Sequence, residues 1–148
     1  MALAPADLPA QPYHAAAGLD IRAANALIAR VELAAEDAAE AGLRALTGGL
    51  HGAVPAVAVV VKPVSLPDDV ASVIRSHPRM HAAEGVLYRE AVLAAARRCG
   101  WPTVAMDEAS LPASDEALAV IGRDAGRPWR RIEKCAARAA LALFLSAL

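Results

Sequence analysis

Apolar positions along the chain fall into segments of different period. Residues 54–64, VPAVAVVVKPV, form a continuous β-branched run that Lys62 and Pro63 bring to an end. Runs of this kind belong to strands covered on both faces, so this segment is expected in the middle of a sheet with helices on either side. Residues 101–107, WPTVAMD, predict a second short strand. Residues 13–33 carry two patterns at once. Ile21, Ala24, Ile28, Val31 and Ala35 keep a helical period, while Leu27, Ala29, Val31 and Leu33 alternate with Ile28, Arg30 and Glu32 as a half-buried strand would. With Gly18-Leu19-Asp20 as a turn, the expectation is a β-hairpin, and a helix is the alternative.

The remaining segments read as helices. Residues 34–49 place acids in the first turns, where the helix dipole favours them, and stop at Gly48-Gly49. Pro67 opens a short helix to residue 75. A longer one runs from Pro78 to residue 98, with Gly100 as its stop. Ser114 is a suitable N-cap for a helix over 115–122, followed by a loop over 122–128. The final helix, 129–146, shows an apolar stripe of Ile132, Ala136, Ala139, Ala140, Leu143 and Phe144 and a charged stripe of Arg130, Lys134 and Arg138. Strands alternating with helices predict an α/β fold, a small central sheet flanked by helices. It is expected as a single domain over 13–148 behind a flexible arm at 1–12.

Composition sharpens this reading. The 148 residues are 57% hydrophobic, but alanine supplies much of that, and only Tyr13, Tyr88, Trp101, Trp129 and Phe144 are aromatic. A core of small groups implies close helix packing. No apolar run reaches the roughly 18 residues of a membrane span. The first 12 residues, with three prolines and no basic cluster, read as an arm and not a signal peptide. Cys99 and Cys135 lack any CxxC context and are expected to be buried free thiols in a reducing cytoplasm. The net charge of −1 favours no partner, although residues 123–138 hold six basic side chains against Asp124 and Glu133.

Candidate chemistry centres on RSHPRMHAAEGVLYRE, residues 75–90. His77, His81 and Glu84 stand at i, i+4 and i+7, the spacing of ligands on one helix face. Pro78 disfavours helical geometry at the residue before it, so Ser76 or His77 becomes the N-cap and the three-ligand register is expected to fail. No metal is expected there, and His14 and His51 show no diagnostic spacing. Glu84 falls inside an apolar arc with Met80, His81, Leu87 and Tyr88, where a carboxylate must be paired. An arginine, for instance from the final helix, is the expected partner. His81 and Tyr88 are binding candidates beside it. In the basic stretch Arg127, Trp129, Arg130, Arg131 and Lys134 are candidates for docking a partner or for phosphate contacts. Nucleophile-elbow, P-loop and dinucleotide fingerprints are absent, and the glycines at 48, 49 and 52 follow a helix instead of opening one.

The element order, with the buried strand AVAVVVK, the segment AAEGVLYREAVLAAARRCGWPTVAMD and the terminal GRPWRRIEKCAARAALALF, resembles the RNase H-like superfamily, in particular its Holliday-junction resolvases. The resemblance spans residues 15–145 and rests on element order and small-residue texture. It implies carboxylates that hold two Mg²⁺ ions about 4 Å apart for phosphodiester hydrolysis. Asp20 matches the first-strand position and Glu133 the last-helix position, but Lys62 stands where an acid is needed, and a cation there repels the metals. The leading expectation is therefore a non-catalytic module, without cofactor, for a protein partner or for self-assembly. The alternative is a divergent nucleic-acid-binding or Mg²⁺-dependent cleaving enzyme using Glu84, Asp20 or Glu133.

Overall fold

The structure, a computed structural model, describes residues 7–49, 53–112 and 115–146. The described residues divide into two compact units, those of 7–53 with 64–100 and those of 54–63 with 101–146.

The first unit is helical: α1 (Pro12–Ala16), α2 (Ile21–Thr47), α3 (Val70–Ile74) and α4 (His77–Arg98). The expected hairpin over 13–33 does not exist. That stretch forms α1, a turn, and the first half of α2. The helical period wins because it continues without a break: Ala24, Ile28, Val31, Ala35 and Ala39 are the buried positions, and all lie on one face. The turn at Gly18-Leu19 leads into α2 instead of reversing one strand onto another. Asp20 starts α2 by accepting a hydrogen bond from the Ala23 N–H at 2.9 Å. The helix ends at Thr47, whose hydroxyl donates to the Leu43 carbonyl, and Gly48 follows as the cap.

α4 packs along α2, with Leu87 and Ala91 joining Ile28, Val31 and Ala35 in one cluster. Alanine on both helices lets their axes approach, and each fully buried Val, Ile or Leu contributes about 1.5–3 kcal/mol. α4 ends at Gly100, which takes φ +77° and donates its N–H to the Arg97 carbonyl. Arg98 reaches from there to Glu36 and Asp37 on α2, both at 2.7 Å.

The second unit holds β1 (Val57–Val61), β2 (Thr103–Asp107), a 3-10 turn (Glu108–Ser110), α5 (Asp115–Ala125) and α6 (Arg131–Ser146). β1 and β2 pair in parallel from Val57 opposite Thr103 to Val61 opposite Asp107. α6 packs on β1 and on α5. The fold is thus mixed α/β with a two-stranded parallel sheet. β1 is half-buried throughout and not covered on both faces as expected, since the sheet has only two strands among the described residues. α5 runs on through the segment read as a loop, to Ala125. Ser114, the expected cap of α5, lies outside the described residues. α6 turns a different face inward from the one its apolar stripe predicts. Ala139 is buried, but Ile132 and Phe144 are 81% and 64% exposed. Cys99 and Cys135 are free but only half-buried. Among the described residues no helix is long and apolar enough to cross a membrane.

Candidate metal centre

The site lies in the first unit and is built from two helix beginnings. α4 starts with Ser76 as N-cap, His77 as its first residue and Pro78 as its second. This overturns the argument that proline breaks the register. In the first turn the missing proline N–H has no carbonyl to meet, so His77 enters the helix and stays one turn below His81. Glu84 sits another turn along on the same side.

α1 supplies the remaining member. It begins at Pro12 behind Gln11, whose side chain makes no capping bond. The orphan amide of His14 in this first turn donates instead to Glu84 Oε1, at 3.3 Å. The same oxygen accepts from His14 Nδ1 at 2.8 Å. Glu84, the one polar residue in the described core at 6% exposure, is therefore a cap that α4 lends to α1. The expected arginine partner is replaced by a histidine, since a helix N-terminus and an imidazole together supply the two N–H groups a buried carboxylate needs.

The three imidazoles close on one another. His14 Nε2 is 3.2 Å from His77 Nδ1, and His77 Nε2 is 3.1 Å from His81 Nε2. His81 Nδ1 comes to 3.8 Å from Glu84 Oε2. One nitrogen from each ring lies within 4.8 Å of the other two. One hydrogen-bond arrangement fits the three short contacts, from His14 to Glu84, His77 to His14 and His81 to His77. His14 Nδ1–H donates to Glu84, His77 Nδ1–H to His14 Nε2, and His81 Nε2–H to His77 Nε2. The lone pair of His14 is then at Nε2, pointed into the cluster by the carboxylate behind it. His14 is half-buried, while His77 and His81 are exposed.

The two tyrosines flank this arrangement. Tyr88 donates its hydroxyl to the Ala10 carbonyl at 2.7 Å. Burial, and then the negative charges of Glu32 and Glu84, push the Tyr13 phenol above its usual range.

The other candidates are placed elsewhere. Asp20 caps α2. Glu133 belongs to the second unit and accepts from the Arg130 N–H at 2.8 Å, closing the first turn of α6 as a capping-box glutamate does. A bond from its own backbone N–H, and then the one from Arg130, hold its carboxyl below the ordinary glutamate range. All three carboxylates singled out in the sequence thus serve a helix N-terminus. Arg131 grips Glu108 with two nitrogens and is not free for phosphate. Trp129 lays its indole over Gly122, where an added Cβ would meet Nε1 at 2.5 Å. Arg127, Trp129 and Arg130 line an open depression with Pro128, and Lys134 is exposed. His51 lies outside the described residues. His14 is the residue that sequence reasoning missed. Its only signal was Pro12, which marks a helix start two residues earlier and hence an amide in need of an acceptor.

Compared with protein-family models, curated proteins and solved structures, the chain finds no match, so its function rests on the geometry of this site.

Proposed function

We propose that the protein binds a divalent transition-metal ion through His14, His77 and His81, with Glu84 orienting His14 from behind. The observation that carries this reading is the convergence of three imidazole nitrogens within 4.8 Å, one of them on a ring held by a buried carboxylate. A carboxylate–histidine–metal relay of this kind fixes the ring tautomer and strengthens the ligand. A tetrahedral ion with bonds of about 2.0–2.1 Å sets its nitrogens about 3.3–3.4 Å apart. Small rotations of the exposed His77 and His81 rings bring the cluster to that size. Three imidazoles suit zinc, cobalt, nickel or copper and not magnesium or calcium. Three protein ligands at an open surface leave a position for water or an exogenous ligand.

The test is titration of the intact chain with Co²⁺, read from its visible absorption, with Zn²⁺ as competitor. One ion per chain is expected. Replacing any one of the three histidines by alanine should weaken the band, replacing all three should abolish it, and Glu84→Gln should weaken binding by about 10–100-fold. Unchanged binding in the His14→Ala/His77→Ala/His81→Ala variant would assign the metal to other groups and end this reading. A second reading, docking of a protein partner or self-assembly, draws on the exposed Ile132, Phe144 and Leu145 of α6. A concentration-dependent change in mass that Ile132→Ser and Phe144→Ser remove would support it.

A further inference from the structure

We infer that metal at this site locks residues 7–19 onto the α2–α4 pair, so that the segment acts as a metal-dependent strap. The inference rests on the metal reading above and adds what the metal controls.

α1 is a single turn of five residues without a side-chain cap of its own. A helix that short does not persist in water, because nucleation costs more than one turn returns. Its order comes from what it docks on. Pro12 and Ala16 are buried. Leu8 and Tyr13 pack against the cluster around Ile28, Leu87 and Ala91, and Tyr13 also against Val73, Met80 and Ala83. Polar ties at both ends of the turn join it to α4: Tyr88 to the Ala10 carbonyl, and Glu84 to the His14 amide and ring.

The ligands divide unevenly across this contact. His77 and His81 belong to α4 and stay one turn apart whether or not the strap is docked. His14 arrives only with the strap. Three-ligand binding therefore exists only in the docked state, and an ion that prefers that state must shift the equilibrium toward it. At free metal a hundredfold above the dissociation constant, the undocked fraction falls by about a hundredfold. The two α4 histidines retain some affinity alone, and the shift is smaller by that affinity. The apolar surface that the strap covers, including Leu87 and Met80, is correspondingly closed when metal is bound and open more often when it is not.

Hydrogen exchange on the intact chain, followed by mass spectrometry of peptides covering residues 7–19, tests this with and without saturating Zn²⁺. Saturation is confirmed by the loss of the Co²⁺ band. The metal should slow exchange in these peptides about tenfold or more and leave peptides from α6 unchanged. The double variant His77→Gln/His81→Gln keeps both bonds between Glu84 and His14 and loses the one between His77 and His14, so its strap should exchange no more slowly than in the metal-free protein and should ignore Zn²⁺. Both positions are exposed, and far-ultraviolet circular dichroism checks that the variant is folded. A bound metal that leaves exchange at 7–19 unchanged would overturn the strap while sparing the site. Absence of the Co²⁺ band would remove both.

Discussion

The two units use similar amino acids to opposite effect. In the first, α2 and α4 turn one apolar face inward, although Ile21, Leu33 and Leu46 on α2 stay exposed. Nearly every buried apolar side chain described lies there, from Ala16 to Ala96. In the second, only Leu118 and Ala139 reach that state, while Val104, Val120, Ile132, Phe144 and Leu145 are exposed. The charged groups differ in the same way. The first unit buries a carboxylate and satisfies it with two N–H groups, whereas the second pairs Arg131 with Glu108 at the surface, where solvent weakens an ion pair. A ligand cluster must be held by neighbours that cannot move aside. The proposed ligand cluster accordingly sits in the unit that owns a core.

The largest effect expected from this contrast comes from Glu84→Ala, which leaves the His14 amide and ring without an acceptor. It should cost about 2–3 kcal/mol in urea unfolding. Val31→Ala, at a fully buried position in the same unit, should cost about 2 kcal/mol. The chain carries its own reporters, since both tyrosines, Tyr13 and Tyr88, lie in the first unit and both tryptophans, Trp101 and Trp129, in the second. Near-ultraviolet circular dichroism should show the tyrosine transition moving further than the tryptophan one. Equal movement would mean that the units unfold as one, and the contrast would be of composition only.

The second unit does have one tight contact, Trp129 on Gly122. Gly122→Ala forces the indole away and should cost about 1–3 kcal/mol, with a red shift of Trp129 emission in a Trp101→Phe background. By comparison Ile132→Ser, at a position 81% exposed, should change stability by no more than about 0.5 kcal/mol. A larger loss at Ile132 than at Gly122 would show that the α6 face is covered in solution.

Much of the architecture was legible because local chemistry agreed with it. The valine run, the proline in the first turn of α4, the stop at Gly48 and the stop at Gly100 all follow from propensity and capping, whereas α3 begins at Val70 and not at Pro67, because Asp69 caps it by accepting from the Ser72 N–H. What misled was periodicity where two periods overlap. Leu27 to Leu33 fits a strand over seven residues, and only the continuation to Ala39 separates helix from hairpin. α6 misled for another reason: an apolar stripe is buried only if something covers it, and no pattern within a helix says what does. At the site, Glu84 was recognisable as a carboxylate in need of partners. Its partner, His14, is 70 residues away, and no spacing rule links positions that meet only through tertiary packing.

The smallest effect separates the units by pH. Glu108 is held below its usual value of 4.5, mainly by the bond from Arg131 and then by the Cys135 thiol. A depressed carboxyl contributes stability above its unfolded value and loses it as pH falls through the folded one. The contribution should therefore vanish on acidification below 4.5, and Glu108→Gln should remove that part of the acid dependence of the tryptophan signal. Tyr88 behaves in the opposite sense. Burial, and then the charge of Glu84, raise its phenol above 10.0. Its contribution is complete below that value and disappears as pH rises through the raised one, where the tyrosine signal of the first unit reports it. Acid should thus perturb the second unit through Glu108 and the first through Asp69, which its bonds to Ser72 hold low, whereas alkali should perturb the first through Tyr88. The Glu108–Arg131 pair lies at the surface, so the acid effect should be slight and fade with added salt. An acid transition that Glu108→Gln leaves unchanged would place the acid-sensitive group elsewhere.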